Sequence, residues 1–290
     1  MSKLLSKQFT HNRMKIKKTE LGPIEVQFFA YAQMRKKVLV RTGELINVLG
    51  INPKQERELL SRMSRVGVII RLKRGVYLVP PRVPPGGRYG VDEYLILEKF
   101  MEVLEGRYQI SGPNAFNYYG FSEQIPNRVY VYNNRIYGDR RIGSLQFSFI
   151  KTDDSRLGDT IALKTGTGSK GIMASKARAL LDAVYDWSRF NTIPKAYQWI
   201  IEEVKKEKTF AKDLVKMAVK YGNQGTCRRL GYLLENLGTS RDVVNRLRGE
   251  LRVSKSLFLW VPNRSATGPV NKDWGLIINA EPEFLSVLRA

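Results

Sequence analysis

The sequence predicts an α+β protein with an N-terminal winged helix-turn-helix followed by a larger mixed α/β C-terminal domain. Residues 52–80 read as a short basic amphipathic helix and a β-rich hairpin, residues 81–90 are rich in Pro and Gly, and later segments mix strand and helix patterns. A length of 290 residues suits two domains. We expect a basic arm at 1–22, the winged helix-turn-helix at 23–80, a linker at 81–90 and the C-terminal domain at 91–290.

The charge is strongly uneven along the chain. Lys and Arg number 49 against 27 Asp and Glu, a net charge of +22, and 19 of the cations against 5 of the acids precede residue 91. Such a field attracts a polyanion such as nucleic acid. A membrane surface is a weaker candidate, because no long apolar run and no signal-peptide pattern occur, so we expect a cytoplasmic protein. The single cysteine, Cys227, excludes an internal disulfide.

The first 20 residues carry six cations and little apolar periodicity. This pattern is typical of an arm that follows the DNA backbone or reaches a minor groove. A solvated, frayed terminus fits it equally well. The six residues are Lys3, Lys7, Arg13, Lys15, Lys17 and Lys18.

Three helices are predicted in succession from Pro23. The first has apolar residues at helical spacing and ends in the cations of residues 35–37, where the helix dipole favours positive charge. The second covers residues 43–49, and Gly50 separates it from the third. Asn52 and Pro53 signal the start of the third helix. The apolar positions expected to face inward are Ile24, Phe28, Tyr31 and Ala32, then Leu45, Ile46 and Leu49.

The third helix is predicted to have one apolar and one cationic face. At 100° per residue, Leu59, Leu60, Met63 and Val66 share one side. Two β-rich runs joined by a cationic tip follow over residues 68–78, which indicates a wing. The opposite, polar side of the helix carries Lys54, Arg57, Glu58, Ser61, Arg62 and Arg65.

This combination favours a helix that enters the major groove of duplex DNA. A solvated basic face on an ordinary amphipathic helix remains the alternative. Arginine binds guanine edges or phosphates in bidentate fashion, so Arg57, Arg62 and Arg65 are candidate reading residues. Ser61 and Gln55 are candidates for further polar readout. Phosphate contacts are expected from the remaining cations, Lys36, Lys37, Arg41, Lys54, Lys73 and Arg74.

The C-terminal domain is predicted to mix strands and helices. Strand patterns occur at residues 108–111, 128–132, 145–150 and 160–163, and late strands at 257–261 and 275–279 are expected to rejoin the same sheet. Helices are expected at residues 91–105, 113–120, 175–187, 194–206, 210–221 and 226–237.

Charged residues in the helical part have two interpretations. Asp182 lies in an apolar helix, so we expect it to be paired, with Arg228 or Arg229 as its partner in a structural ion pair. Alternatively, Lys176, Arg178 and Arg229 form a second basic surface for DNA or RNA. Tyr118 and Tyr119 are expected to pack rather than to stack on bases.

Enzymatic chemistry is not expected. His11 is the only histidine, which excludes a His-based triad and a zinc site with several histidines. The adjacent Asp153 and Asp154 have no third carboxylate at metal-ligand spacing, and we predict no metal and no cofactor. Residues 166–171, GTGSKG, match G-x-G-x-x-G formally, but Ile172 and Met173 separate them from the helix cap at Ser175. We therefore interpret them as a hairpin loop.

Five segments occur in a recognisable order and spacing: RGVY at 74–77, ISGPNA at 110–115, YG at 119–120, ARALLD at 177–182 and RRLGYLLE at 228–235. In this order and spacing the chain resembles the AbiEi family of antitoxins from type IV toxin-antitoxin systems. The resemblance covers about residues 24–281. It implies a winged helix that represses its own operon at inverted repeats in the promoter. It also implies a C-terminal domain that antagonises a nucleotidyltransferase-type toxin without a stable complex, in a system of phage defence.

The sequence thus predicts an antitoxin and autorepressor that is not an enzyme, with duplex promoter DNA as its direct partner. The rival hypothesis is a basic RNA-binding protein that acts on tRNA or another structured RNA. Duplex competition separates the two, because a recognition helix cannot enter the deep, narrow major groove of A-form RNA.

Overall fold

The computed structural model describes residues 21–83, 88–164, 169–253 and 256–280. Nearly all of the predicted basic arm and four residues of the predicted linker therefore lie outside the described residues. The chain divides into two compact units, Met1–Asp92 and Glu93–Ala290. Both units combine helices with β-sheet, so the α+β class is confirmed. None of the helices in the described parts of the chain has the length and apolar character needed to cross a membrane.

The first unit contains three helices and a three-stranded antiparallel sheet. The helices are α1 (Pro23–Met34), α2 (Ile46–Leu49) and α3 (Pro53–Val66). The strands are β1 (Leu39–Arg41), β2 (Ile70–Lys73) and β3 (Val76–Leu78), in the order β1-β3-β2. The three helices and the hairpin occur in the predicted order, although α2 begins at Ile46 instead of residue 43 and Ile24, expected to face inward, is exposed. Strand β1 was missed, because three residues are too few to show a period of two.

Helix α3 forms because both of its ends are well capped. Asn52 accepts hydrogen bonds from the backbone N–H groups of Lys54 (3.0 Å) and Gln55 (2.9 Å), and the Gln55 side chain accepts in return from the Asn52 N–H. Gly67 ends the helix with φ +87°, a left-handed conformation that glycine adopts without steric cost.

The inward face of α3 carries Leu59, Leu60 and Met63, which are buried as predicted. Val66 was predicted to join them but is 46% exposed. It lies at the edge of the apolar arc in the last turn, next to the helix end. The core around this face is completed from α1, β1 and the hairpin; it includes Phe28, Phe29, Ala32, Val40, Leu45, Val68, Ile69 and Tyr77.

Glu56 is a fully buried acid on the inward side of α3. Its two carboxylate oxygens accept hydrogen bonds from the backbone N–H groups of Gly43 (2.7 Å) and Leu45 (2.8 Å). A buried carboxylate is costly unless such donors satisfy it. The bonds join α3 to the segment that leads into α2 and so help to fix the direction of α3.

The second unit is built on a six-stranded mixed sheet in the order β6-β7-β5-β4-β9-β8. The pairs β4/β9 and β5/β7 are parallel, and the other neighbours are antiparallel. The strands are β4 (Tyr108–Ile110), β5 (Val129–Asn133), β6 (Gly138–Ile142), β7 (Leu145–Lys151), β8 (Thr160–Lys164) and β9 (Lys170–Ala174).

Along the chain, α4 (Glu93–Val103) precedes the six strands, α5 (Pro113–Tyr118) lies between β4 and β5, and the remaining helices follow β9. The predicted helix over 210–221 is confirmed to the residue, and the others agree within a few residues. The bounds of the helices after β9 are α6 (Lys176–Tyr185), α7 (Trp187–Phe190), α8 (Lys195–Lys206), α9 (Phe210–Tyr221), α10 (Gln224–Asn236) and α11 (Arg241–Gly249).

The secondary structure predicted for this unit was wrong or incomplete in several places, and strands β6 and β9 were not predicted. The late strands do not rejoin the large sheet: β10 (Phe258–Leu259), β11 (Val270–Asn271) and β12 (Leu276–Ile277) form a separate sheet in the order β10-β12-β11. The helix predicted over 175–187 ends at Tyr185, and Asp186 separates it from α7. Helix α11 was missed because its charged sequence buries only Val243, Val244 and Leu247.

The tyrosine pair after β4 behaves partly as expected. Tyr119 packs, and its hydroxyl donates to the backbone oxygen of Ala174 at 2.8 Å. Burial raises the pKa of the Tyr119 hydroxyl to about 12. Tyr118 is instead 52% exposed, edge-on to Tyr119 at 5.0 Å between ring centroids.

Candidate nucleic-acid interface

The outward face of α3 is exposed along its whole length. Every polar residue predicted for this face is exposed, whereas Leu59, Leu60 and Met63 are held in the core. The side chains therefore keep the division into an apolar and a cationic face that the sequence predicts. The exposed residues are Lys54, Gln55, Arg57, Glu58, Ser61, Arg62 and Arg65.

Arg57, Ser61 and Arg65 follow one another at a spacing of four residues. Residues at this spacing lie above one another on a helix. Two guanidinium groups with a hydroxyl between them thus form a row along the exposed face. The row can reach base edges or phosphates without disturbing the core.

Arg62 and Gln55 are more constrained than the sequence suggested. Arg62 forms an ion pair with Glu25 of α1, with its Nε 3.1 Å from Glu25 Oε1, although its side chain stays 55% exposed. The side-chain oxygen of Gln55 is used by the capping box. Arg62 therefore also joins α1 to α3, and the capping bond fixes the Gln55 side chain at the start of α3.

The hairpin β2–β3 follows α3 directly and adds exposed cations. Arg71 and Arg74 are exposed and Lys73 is partly buried. The tip is bonded to the residue that follows β1, since the Thr42 N–H donates to the Gly75 oxygen at 2.9 Å. Gly75 has φ +76°, which a tight tip requires. The hairpin is thus held against the helices of its own unit.

Lys36, Lys37 and Arg41 lie in the connection from α1 through β1. Lys36 and Arg41 are exposed, whereas Lys37 forms an ion pair with Glu44. The hydrogen bond to Glu44 raises the pKa of Lys37. Burial pushes the pKa of Glu44 upward, but the hydrogen bonds from Lys37 and the Arg41 N–H outweigh it and lower that pKa. Lys37 is therefore partly committed to Glu44.

The sequence reasoning missed one residue of this surface, Arg71, and gave another, Glu58, no role. Arg71 is exposed between the buried Ile70 and Leu72, and this alternation was a readable signal for an outward cation. Glu58 was placed on the polar face but given no role. It lies at the centre of the cationic face and forms no ion pair or side-chain hydrogen bond within the described residues.

The predicted second basic surface is wrong. Arg178 is fully buried and Arg229 is buried, so neither presents its charge to solvent, and Lys176 pairs with Glu203 at 2.9 Å. Arg229 donates to the Leu259 oxygen at 3.0 Å. Burial lowers the pKa of Arg229. These arginines are structural because the apolar faces of α6 and α10 carry them into the core.

The predicted Asp182–Arg228 ion pair is also wrong, although Asp182 is buried and paired. Asp182 accepts from Arg178 Nε at 3.0 Å, from Arg156 at 3.3 Å and from the Ser111 hydroxyl at 2.8 Å. Arg178 lies four residues earlier on α6, within reach on the same face. Arg228 instead donates to the backbone oxygens of Trp274 and Arg252, both at 2.9 Å.

The glycine-rich segment lies between the antiparallel strands β8 and β9. Residues 165–168 lie outside the described residues, so the predicted loop itself is only partly described. Strand β9 occupies 170–174, and Ser175 caps α6 by accepting from the Arg178 N–H at 3.3 Å. In the described part of the chain, no three His, Cys, Asp or Glu side chains are close enough to hold a metal ion.

A solved structure supports the fold across both units. The crystal structure of the RV2827C protein from Mycobacterium tuberculosis aligns with a TM-score of 0.57 and 14% sequence identity. The alignment covers 93% of this chain and 96% of that one. At this identity the likeness concerns the fold alone. A comparison with curated protein sequences finds no match.

A family model matches the segment that carries the candidate interface. It is described as a transcriptional regulator, AbiEi antitoxin, and it covers residues 30–80. The segment contains only the last five residues of α1, but all of β1, α2, α3 and the β2–β3 hairpin. The resemblance drawn from the sequence is thereby confirmed: over residues 30–80 the chain matches the AbiEi antitoxin family of transcriptional regulators.

Proposed function

We propose that the first unit is a winged helix-turn-helix that binds duplex DNA through α3 and the β2–β3 hairpin. The observation that carries the proposal is the outward face of α3, where four cations and Ser61 are exposed while the inward face is buried. The order of three helices, the last followed by a hairpin, supports the winged form. In it, β2–β3 is the wing.

The roles of the cations follow from their places on the unit. Arg57 and Arg65 on α3 reach base edges in the major groove, with Ser61 between them. Arg71 and Arg74 on the hairpin, with Lys36 and Arg41, contact phosphates and set the position of the helix. Lys54 lies in the first turn of α3, where it contacts the backbone beside the groove.

The whole chain acts, in this proposal, as a cytoplasmic autorepressor and antitoxin rather than as an enzyme. It binds inverted repeats in its own promoter and antagonises a nucleotidyltransferase-type toxin of a type IV system without a stable complex. The family match over residues 30–80 supports the regulator and antitoxin parts. The toxin class, the lack of a stable complex and a role in phage defence rest on the resemblance.

The test is a titration of the full chain onto the promoter DNA of its own gene, with scrambled duplex and structured RNA as competitors at several salt concentrations. We expect selective promoter binding that persists at physiological salt. Equal, salt-sensitive binding to all three would mean that the net charge alone explains the association. Preference for the structured RNA would favour the rival RNA-binding function.

Substitutions on α3 make the test specific. Arg57→Ala and Arg65→Ala should weaken promoter binding more than scrambled-DNA binding, by about 1 to 3 kcal/mol if the arginine reads a guanine. Lys216→Ala, an exposed lysine on α9 of the second unit, is the matched control. Equal losses on both DNAs for both variants would leave α3 with no reading role.

A further inference from the structure

A cleft of about 460 Å³ lies on the second unit, between the start of α5, the segment after it and the α7–α8 connection. This volume falls in the range of small-ligand sites, roughly 300 to 1,000 Å³. The cleft is formed within one unit and shares no residue with the candidate DNA interface. Any ligand of this cleft would therefore bind apart from the candidate DNA interface.

One wall of the cleft is aromatic. Phe116, Tyr130, Phe190 and Trp199 all line it. Phe190 meets Phe116 and Tyr130 edge-on, with centroid distances of 6.0 and 5.4 Å, and Phe116 packs on Trp199 at 5.3 Å. These contacts hold the rings in place. Phe116 and Trp199 are buried, so the partly exposed Phe190 and Tyr130 provide most of the accessible ring surface. A fixed aromatic surface favours a ligand with a flat, unsaturated ring.

The rim of the cleft is cationic. Arg189 and Lys195 line it and are exposed, and neither side chain forms an ion pair or hydrogen bond with the described residues. Asp186 lies near Arg189 and offsets part of its charge, while one Asp186 oxygen accepts a hydrogen bond from the Tyr132 hydroxyl at 2.5 Å. No Asp or Glu is among the lining residues of the cleft. The electrostatic balance thus favours an anion at the rim.

Side-chain amides complete the lining. Gln124, Asn127 and Asn191 are exposed there, and each amide offers both a donor and an acceptor. Amides recognise the edges of nucleobases, whose donors and acceptors lie in the ring plane. A flat ring with a polar edge and an attached anion would use all three features of the cleft.

We propose that this cleft binds a nucleoside phosphate, with the base against the aromatic wall and the phosphate at Arg189 and Lys195. The ligand is either a free nucleotide or the terminal nucleotide of a single strand, since both present the same base, sugar and phosphate. This function is separate from duplex binding by the first unit, and it does not depend on the proposed DNA interface.

The experiment measures binding of defined probes to the full chain by calorimetry and by ligand-observed NMR. The probes are the four ribonucleoside monophosphates, adenosine, inorganic phosphate and a single-stranded RNA of about ten nucleotides. We expect at least one monophosphate or the RNA to bind more tightly than adenosine and phosphate. Tighter RNA binding that is weakened by substitution of Arg189 and Lys195 would identify a strand end as the source, and tighter monophosphate binding would identify a free nucleotide.

A double variant tests the rim. Arg189→Gln with Lys195→Gln should weaken binding of the best probe about tenfold or more, because both phosphate contacts are lost. The matched control is Arg246→Gln with Lys216→Gln, which removes the same charge from exposed helical positions of the same unit. The control should keep the affinity of the unmodified chain, and promoter binding should be unchanged in both double variants.

Two outcomes would overturn the proposal. One is that no monophosphate and no RNA binds better than adenosine or phosphate at millimolar concentration. The other is an equal loss in the rim and control variants, which would assign the binding to net charge. If the unmodified chain binds a nucleotide but does not bind its promoter, only the proposed DNA interface would be contradicted.

Discussion

Glu56 and Glu58 are two positions apart on α3 and have opposite environments. Glu56 is fully buried and accepts two backbone hydrogen bonds, whereas Glu58 is exposed among the cations of the outward face. The difference arises because two residues on a helix are about 200° apart. One carboxylate therefore stabilises the unit, and the other lies where DNA would be contacted.

Glu58 is predicted to act in sequence discrimination. A carboxylate facing DNA is repelled by phosphates, and it is compensated only where a base donor such as cytosine N4 meets it. Glu58→Gln should tighten binding to scrambled DNA and reduce the ratio of promoter to scrambled affinity, measured by competition at fixed salt. An unchanged ratio would show that Glu58 points away from the bases. Glu202→Gln, an exposed acid on α8, is the control.

The buried charges around Asp182 make the second unit sensitive to a single substitution. Asp182 and Arg178 are both fully buried, and Arg178 also donates to the backbone oxygen of Arg156 at 2.7 Å. The Arg178 guanidinium lies 4.1 Å from the centre of the Tyr221 ring. Removing the carboxylate would leave an uncompensated cation inside the unit.

Asp182→Asn should lower the free energy of unfolding of the second unit by about 3 to 5 kcal/mol, as expected when a buried ion pair loses one partner. Asp213→Asn makes the same change at an exposed position on α9 and should shift stability by less than about 0.5 kcal/mol. Urea denaturation followed by circular dichroism distinguishes the two. Similar shifts for both variants would contradict a structural role for the Asp182 network.

At the level of elements, the junction of α3 and the hairpin depends on Gly67. Its φ of +87° lets the chain turn at once from the helix into Val68 and β2. Its oxygen also accepts from the Tyr89 N–H at 2.7 Å, which binds the end of the unit to this turn. Gly67 thus sets the turn from α3 into the hairpin, and the pairing of β3 with β1 also holds the hairpin in place.

Gly67→Ala is expected to destabilise the first unit by about 1 to 2 kcal/mol, because a Cβ disfavours the left-handed conformation. The added Cβ would lie 3.6 Å from Arg88 Cγ, which is an ordinary van der Waals contact. The loss of stability therefore arises from the backbone conformation and not from a steric clash. Gly90→Ala is the control, since Gly90 has no positive φ and no neighbour within 4 Å of an added Cβ. Hydrogen exchange of the amides of the first unit measures both variants.

At the scale of the whole molecule, the positive charge is concentrated in the smaller of the two units. The charge excess is concentrated before residue 91, whereas most of the chain lies in the second unit. In the second unit several cations are used internally, as Arg178, Arg228 and Arg229 show. Net charge therefore overstates the cationic surface of the second unit.

Salt dependence tests which cations meet DNA. The logarithm of the promoter association constant should fall linearly with the logarithm of salt concentration, with a slope of about −0.9 per phosphate neutralised. Arg74→Gln, at the hairpin tip, should reduce the slope by about 1, whereas Lys216→Gln should leave it unchanged. An unchanged slope for Arg74→Gln would remove the hairpin tip from the interface.

Local sequence patterns were sufficient to predict several helices of this protein, α3 and α9 among them. The capping residues Asn52 and Pro53, the apolar positions Leu59, Leu60 and Met63, and the break at Gly67 all act within a few residues, so helix α3 and its two faces could be read directly. Helix α9 was predicted for the same reason. The exposed face of α3 followed because periodicity alone separates its two sides.

Contacts between distant segments required the folded structure. Packing brings Arg156 and Ser111 to Asp182, joins Glu25 of α1 to Arg62 of α3, and leaves Arg228 with the backbone near β12. The Asp182–Arg178 pair is the exception, because its two residues are one helical turn apart on α6. The late strands pair with one another and not with the large sheet, because the packing of distant segments also decides which strands become neighbours. The rim cations Arg189 and Lys195 meet Phe116 and Tyr130 only through the fold. Periodicity and charge are local properties, whereas the partner of a buried charge and the walls of a cleft depend on which segments pack together.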